Sequence, residues 1–399
     1  MFKNITRTVF IISLVSLFND FSSEMLYPIM PLYLAQIGYG GLFIGLLEGL
    51  AELIAGFTKI YTGSLSDTIQ RRLPFVNIGY SLSVISRPLI VWTQFAATIC
   101  LGRSLDKIGK GIRTSARDAL LADECSVANR AEIFGFHRSM DTIGAILGPL
   151  AALLYLHFHP EDYKNIFFIA VIPGLIAVCL SFFLKEKNNK KNLLNNKAQF
   201  AIRQHFSFYK IAPVPYLIFL GFVFVFALVN SSDMFLLLRA KESGMSESEV
   251  LMLYIYFNLV FSLMAFPIGK IADRMNKHHI LSFGFVLYAL AYFIMAISPT
   301  GISLYIAFTL YGLFYAFTQG ILKVLLIEKV PVNYKSNAVG FYEGLNSILL
   351  LVGNAFAGFI WYQWGATTML TYTALITAIL AVAIFIYYRK YDIKPNETV

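Results

Sequence analysis

The chain is 399 residues long, 57% apolar and only 14% charged, with a mean hydropathy of +0.66. No stretch has the composition of a soluble domain, which excludes a water-soluble enzyme and a disordered tether as readings of the whole. The net charge of +9 is no nucleic-acid signal, because the basic residues are sorted by side of the apolar segments rather than gathered in one patch.

A helix needs about 20 apolar residues to cross the hydrocarbon core of a bilayer. Twelve stretches meet this, at residues 8–36, 42–66, 74–92, 95–118, 130–157, 163–185, 212–238, 249–272, 279–298, 302–328, 337–362 and 366–388. The predicted fold is therefore an all-α membrane protein of twelve transmembrane helices. The first run is interrupted by Asp20 and Glu24 and is followed by no small-residue cleavage site, so it reads as span one rather than a signal peptide. Cys100, Cys125 and Cys179 are too scattered for a disulfide framework or a metal cluster. His157 and His159 read as a solvated pair at a span end, and no metal or cofactor is expected.

Charges at bilayer depth cost roughly 2.5–3.5 kcal/mol each on insertion scales, so each is read as facing the protein interior. Each is then either a functional group or half of a structural pair. In span one Asp20 and Glu24 are four residues apart, on one helix face, and Pro28 and Pro31 bend the end beyond them. Burial and a nearby arginine act on a carboxyl in opposite directions. A group balanced between them can load or release a proton as its surroundings wet, which makes both acids candidate proton carriers. Span two presents Glu48, Glu52 and Lys59 on one stripe, read as an inter-half contact first and a proton relay second. Gly41, Gly45 and Gly49 recur every four residues, the spacing of close helix packing. Arg87 in span three reads as structural.

Span four is the richest. Arg103, Asp106, Lys110, Arg113 and Arg117 follow at three- or four-residue steps and fall on one stripe. Arg103 contacts substrate or forms an internal pair with Asp106 or Glu24; both readings stand. A guanidinium donates two parallel hydrogen bonds to a carboxylate or phosphate, so the basic stripe, with Lys110, points to an anionic or oxygen-rich solute. Arg113 and Arg117 read as a cytoplasmic rim. In span five Arg138 either pairs with Glu343 of span eleven as a gate or pairs locally with Asp141. Span seven holds Asp233, a repeat-related partner of Glu24, which is a proton carrier or an outer gate residue pairing Arg239 or Lys241. Tyr311, Tyr315 and Gln319 of span ten are each one turn apart and read either as substrate hydrogen-bond donors or as packing.

Lys3, Arg7, Arg71, Arg72, Arg274, Lys277, Lys329, Lys335, Arg389 and Lys390 lie on one side if the spans alternate, and the linker adds Lys185, Lys187, Lys190 and Lys191. Lysine and arginine excess marks the cytoplasmic face, so both termini are expected inside a bacterial inner membrane. The linker, residues 185–211, separates six spans in 1–184 from six in 212–399. The halves resemble each other: Gly63-Ser64-Leu65-Ser66-Asp67 returns as Gly269-Lys270-Ile271-Ala272-Asp273, and Ser22-Ser23-Glu24-Met25 as Ser231-Ser232-Asp233-Met234. Parallel repeats of this kind are a transporter architecture.

These residues carry a family resemblance. Gly63, Leu65, Asp67, Arg71 and Arg72, with Ala272-Asp273-Arg274 as a second copy, resemble the loop signature of the major facilitator superfamily, although Ser66 and Gln70 depart from it. Arg103 is similar to that family's fourth-helix arginine. Gly144, Gly148 and Pro149 resemble its fifth-helix motif, with Ala151 and Ala152 replacing the second glycine pair. The phrases Asn19-Asp20-Phe21-Ser22-Ser23-Glu24-Met25 and Gly109-Lys110-Gly111-Ile112-Arg113-Thr114 resemble a bacterial branch whose members mostly lack assigned substrates. The resemblance implies two pseudo-symmetric six-helix bundles, alternating access, and a site lined by helices one, four, seven and ten. It implies a gating role for Asp67 and Arg71 near helix eleven and, mirrored, for Asp273 and Arg274.

The resulting expectation is a monomeric, proton-coupled secondary transporter whose partners are a small solute, protons and the lipid bilayer. A uniporter, exchanger or drug efflux pump of the same fold is the alternative, and a non-transporting sensor is a third reading. An enzyme is disfavoured, because the chain has no nucleophile–base set and no phosphate-cradling glycine loop. Substrate identity and the direction of transport stay open.

Overall fold

The computed structural model describes residues 5–69, 71–124, 130–186, 208–272, 275–297, 300–328, 330 and 335–392, and every regular element among them is helical. Ten of these stretches are long and apolar enough to cross a bilayer. One of the ten, the 52-residue stretch Ala338–Arg389, would be about 78 Å long as one straight helix, far beyond a single crossing. Gly365, at φ 84° and ψ 167°, breaks it in two. The helix Ala96–Asp123 falls outside the ten because it carries so many charges. Counting that helix, and counting the broken stretch as two, gives the twelve crossings read from the sequence.

Three crossings are themselves discontinuous. Span one is Arg7–Leu26 followed by Ile29–Gln36, interrupted at Pro28, where a proline has no N–H to continue the ladder. Span six is Tyr163–Ile169 followed by Val171–Ser181. The Ala170 carbonyl at its break accepts the Ser22 hydroxyl and, at 3.3 Å, Arg87 Nη1. Arg87 is thus a buried cation capping a helix break. Span seven is Val214–Val229 followed by Asp233–Glu242.

The chain divides into two compact units. The first comprises Met1–Gly38 with Leu50–Phe206, and the second Tyr39–Gly49 with Ser207–Val399. In the first, glycines bring backbones into direct contact. A Cβ on Gly144 would meet Leu17 O and Phe21 N, and one on Gly148 would meet Phe21 O and Met25 N. Spans one and five (Arg130–Phe158) therefore touch along their main chains. Gly79 and Gly109 do the same for span three (Leu73–Trp92) and span four (Ala96–Asp123), and Gly111 seats span four on Ala55 and Thr58 of span two (Gly41–Ile69).

In the second unit, a Cβ on Gly45 would meet Asn354 O and Gly358 Cα, and one on Gly49 would meet Leu351. The glycine repeat read from the sequence therefore seats residues 39–49 against span eleven, the part of Lys335–Asp392 before Gly365. The core beside it is aromatic: Phe226 stacks on Phe285 at 4.4 Å and Tyr288 on Tyr292 at 4.2 Å.

Gly148→Ala is expected to lower the melting temperature of the detergent-solubilised protein by the equivalent of about 1–3 kcal/mol, because the methyl meets backbone that cannot rotate away. Gly221→Ala, where an added Cβ meets nothing within 4 Å, should leave that temperature unchanged.

Candidate functional site

Span four places its charges where the stripe predicts, and neutralises most of them within the first unit. Arg103 is buried, with Nη1 3.4 Å from Asp106 Oδ2 one turn on. Arg113 is buried, donates to Ser83 Oγ and lies 4.9 Å over the Tyr80 ring. Arg117 donates to Asp118 Oδ1 through Nε at 3.0 Å and Nη2 at 2.9 Å, and to Ser16 Oγ through Nη1 at 3.0 Å. Glu52 takes a partner that the sequence stripe left out: Lys107 Nζ, at 2.5 Å, with the lysine buried. Lys107 lies between stripe positions, and its only signal was being a lysine inside a spanning helix. Gly109 and Gly111 explain its direction. They hold span four so close to spans three and two that the long side chains must run along the helix seams.

Lys110 differs from these four cations. It is exposed, midway along Ala96–Asp123, and forms no ion pair among the described residues. Glu52 and Glu24 are within electrostatic reach of it. Asp20 accepts from Asn19 Nδ2 at 3.1 Å and lies within electrostatic reach of Asp141, Arg117, Arg113 and Lys110. Arg138 Nη1 is 3.8 Å from Asp141 Oδ2, and Arg138 is exposed.

In the second unit the structure joins residues that the sequence assigned to separate tasks. Tyr311 OH and, at 3.0 Å, Tyr315 OH both donate to Asp233 Oδ1. Asp233 opens the second segment of span seven, where the partial positive charge of a helix N-terminus favours a carboxylate. The residues of the break before it are held by neighbouring spans. Ser232 N donates to Asn354 Oδ1 at 2.8 Å, Ser231 Oγ and Tyr292 OH are 2.8 Å apart, and Tyr288 OH donates to Asn230 Oδ1 at 3.1 Å. Arg239, one of the two partners proposed for Asp233, donates instead to the carbonyls of Met295 and Ala296 and to Thr367. Six residues along a helix rotate a side chain about 240° away, which turns Arg239 from the Asp233 face. Gln319 is exposed on span ten (Gly301–Glu328), and Glu343 is half-buried, with its carbonyl accepting from Ser347.

The gating candidates are unevenly described. Arg71 is exposed after the end of span two. Asp273 and Arg274 lie outside the described residues, and Asp67 lies outside those whose side chains are described.

The sequence matches the Major Facilitator Superfamily over residues 12–246 and again over 218–398. An uncharacterized MFS-type transporter of Methanocaldococcus jannaschii is 30% identical over 365 residues, covering 90% of this chain and 89% of that protein. Among solved structures, the nucleoside transporter NupG superposes with a TM-score of 0.80 at 14% identity, covering 96% of this chain and 99% of that one. A bacterial homolog of the human lysosomal transporter Spinster superposes with a TM-score of 0.74 at 13% identity, covering 100% of both chains.

Glu52→Gln strands the Lys107 ammonium and is expected to destabilise the protein by about 2 kcal/mol, below the usual cost of breaking a buried pair because Glu52 keeps some water. Glu52→Gln combined with Lys107→Met should recover most of that loss, read as the melting temperature of the purified protein.

Proposed function

The chain belongs to the Major Facilitator Superfamily and is a multi-pass membrane transporter; from that premise we propose that it is a proton-coupled secondary transporter of a small anionic or oxygen-rich solute. It would work by alternating access in a bacterial inner membrane, with both termini in the cytoplasm. One observation supports the anionic reading above the rest: Lys110 is exposed halfway along a membrane-spanning helix and has no ion pair among the described residues. An ammonium facing lipid at that depth costs roughly 2.5–3.5 kcal/mol, so a lysine exposed there is best explained by water and an anion. Arg103 and Lys107 are already answered by Asp106 and Glu52, which leaves Lys110 to meet a solute.

Proton coupling is assigned to Asp20 in the first unit and Asp233 in the second. Glu24, Glu52 and Asp106 serve as neighbouring acids that set the charge balance. Tyr311 and Tyr315 hold Asp233 when it is ionised; protonation gives its carboxyl a hydrogen to donate and forces the phenols to rearrange. Such a rearrangement would connect proton occupancy to the packing of spans seven and ten. Gln319 offers the second unit's hydrogen bonds to the solute, and Tyr315 can join it only when its hydroxyl leaves Asp233. Arg71, Arg113, Arg138 and Glu343, with Asp67, Asp273 and Arg274, are assigned to gating.

A panel of organic anions and phosphorylated metabolites presented to proteoliposomes with an imposed pH gradient tests this. A transported anion should accumulate only with the gradient, and Lys110→Gln should raise its KM roughly tenfold to a hundredfold, the loss of one charge-assisted contact. An equal KM in Lys110→Gln would count against the anion site. Asp233→Asn should abolish gradient-driven accumulation while sparing solute-for-solute exchange; loss of both, or of neither, would remove Asp233 from coupling.

A further inference from the structure

Within the first unit, a polar seam runs between spans one and five. Gly144 sets its geometry: Asp20 Cβ lies 3.2 Å from where a Cβ on Gly144 would stand. Asp141 is one turn before Gly144 and His137 one turn before Asp141, on the same helix face. The facing residues of span one, counted back from Asp20, are Ser16 and Ser13. Lower still, Phe10 stacks on Phe136 at 6.5 Å, which fixes the two helices in this register.

Ser13, Ser16, His137 and Asp141 are all buried, His137 with 4% and Asp141 with 6% of its surface exposed. His137 Nε2 is 3.7 Å from Asp141 Oδ1, just beyond hydrogen-bond reach. Neither ring nitrogen of His137, nor Asp141 Oδ1, nor Ser13 Oγ has a hydrogen-bond partner among the described residues. Folded proteins rarely leave buried polar atoms unmatched. Four such atoms on two packed helices, ending beside a membrane-depth carboxyl, are what a passage for water or protons requires.

Other charged groups frame the row. Arg117, on span four, is pinned by Asp118 and Ser16. Arg138 approaches Asp141 at 3.8 Å from the exposed side. Arg113, Lys110 and the Tyr80 hydroxyl are within electrostatic reach of Asp20. The fixed charge of Arg117 stands near both Asp20 and Asp141, which lets two acids sit close together.

We propose that this seam is a proton path in which His137 and Asp141 relay protons to Asp20 from the basic end of the bundle. The inference rests on the proton-coupled reading and adds to it the route by which one coupling carboxyl is loaded. A proton taken from water by one ring nitrogen makes His137 an imidazolium. The other ring nitrogen releases its proton to Asp141, leaving a neutral imidazole and a carboxylic acid. Asp141 passes that proton to Asp20 and returns to carboxylate, and the ring resets by exchanging tautomers. One proton has moved, and no bond between heavy atoms has changed. A small rotamer adjustment, or one bridging water, closes the 3.7 Å gap.

The test needs no solute. Protein in liposomes is subjected to a pH jump while infrared spectroscopy follows the C=O stretch of protonated carboxyls, the Asp20 band being identified by its loss in Asp20→Asn. In His137→Gln and Asp141→Asn the Asp20 band should keep its amplitude and form about a hundredfold more slowly, the scale of a positioned proton-transfer group. Ser13→Val, which dries the seam without removing an ionisable group, should also slow it. Wild-type rates in the His137 and Asp141 variants would overturn the path, as would the absence of any band sensitive to Asp20→Asn. A variant that melts below wild type is replaced by the Ser13→Val measurement, where an unchanged rate likewise counts against the path. Because no solute takes part, failure here leaves the flux assay to decide coupled transport, and failure there leaves this route to be measured.

Discussion

An ionised side chain at bilayer depth must be answered by an opposite charge, a hydrogen-bond donor or water, and most of the polar architecture of this chain follows from that requirement. The first unit answers with ion pairs on an unbroken helix. Span four keeps its ladder intact from Ala96 to Asp123 and sends Arg103 to Asp106 and Lys107 to Glu52. The Arg103 pair is closed within the helix, but the Lys107 pair demands that spans four and two approach closely enough for a short carboxyl to reach a long cation. Gly111 supplies that approach, and Gly79 and Gly109 do the same for spans three and four. The glycines and the cross-helix contacts are therefore one device: a Cβ at Gly111 would push span two away from Lys107 and its partner Glu52, and one at Gly109 would crowd Ser83, which accepts from Arg113.

The second unit answers by breaking a helix. After Asn230, whose N–H still reaches the Phe226 carbonyl, span seven interrupts its hydrogen-bond ladder, which in a bilayer is tolerated only where protein or water replaces it. Asn354 of span eleven accepts from the Ser232 N–H and Thr373 of span twelve donates to the Val229 carbonyl, while Tyr292 and Tyr288 of span nine engage the Ser231 and Asn230 side chains. The break creates a fresh helix N-terminus, and Asp233 occupies it under two phenol donors. A helix N-terminal dipole and two hydroxyls both favour a carboxylate there.

The sequence makes the membrane crossings legible, because a run of some 20 apolar residues has few other uses. It also makes legible which residues are out of place in lipid, since Arg103, Asp20 and Asp233 break apolar periodicity on their own. Partner choice is not legible in the same way. Lys107 sits next to Asp106 in sequence yet pairs with Glu52, because the glycines of span four set a packing that a single-helix projection does not contain. Tyr311 and Tyr315 look like an ordinary aromatic stripe until span seven breaks and turns Asp233 toward them. His137 and Asp141 are adjacent on a helical wheel, but their burial depends on how Gly144 seats span one. The missing information is tertiary in each case: the depth of a side chain and the identity of the facing helix.

The two solutions respond differently to water. Coulomb attraction between charges 4 Å apart falls from roughly 20 kcal/mol in a dry interior to about 4 kcal/mol at an effective dielectric of 20, so ion pairs loosen as a site hydrates. The Glu52 side chain is 40% exposed while its Lys107 partner is 7% exposed, and the pair therefore meets water from one side only. Hydrogen bonds from Tyr311 and Tyr315 to Asp233 depend instead on direction and on the aromatic packing that fixes both rings against Phe257. They persist until the rings move. The first unit thus holds an ion pair that wetting weakens, and the second holds a carboxylate bonded by two rings that packing fixes. In the proton-coupled mechanism proposed above, the first would sense hydration and the second would convert protonation into a change of packing.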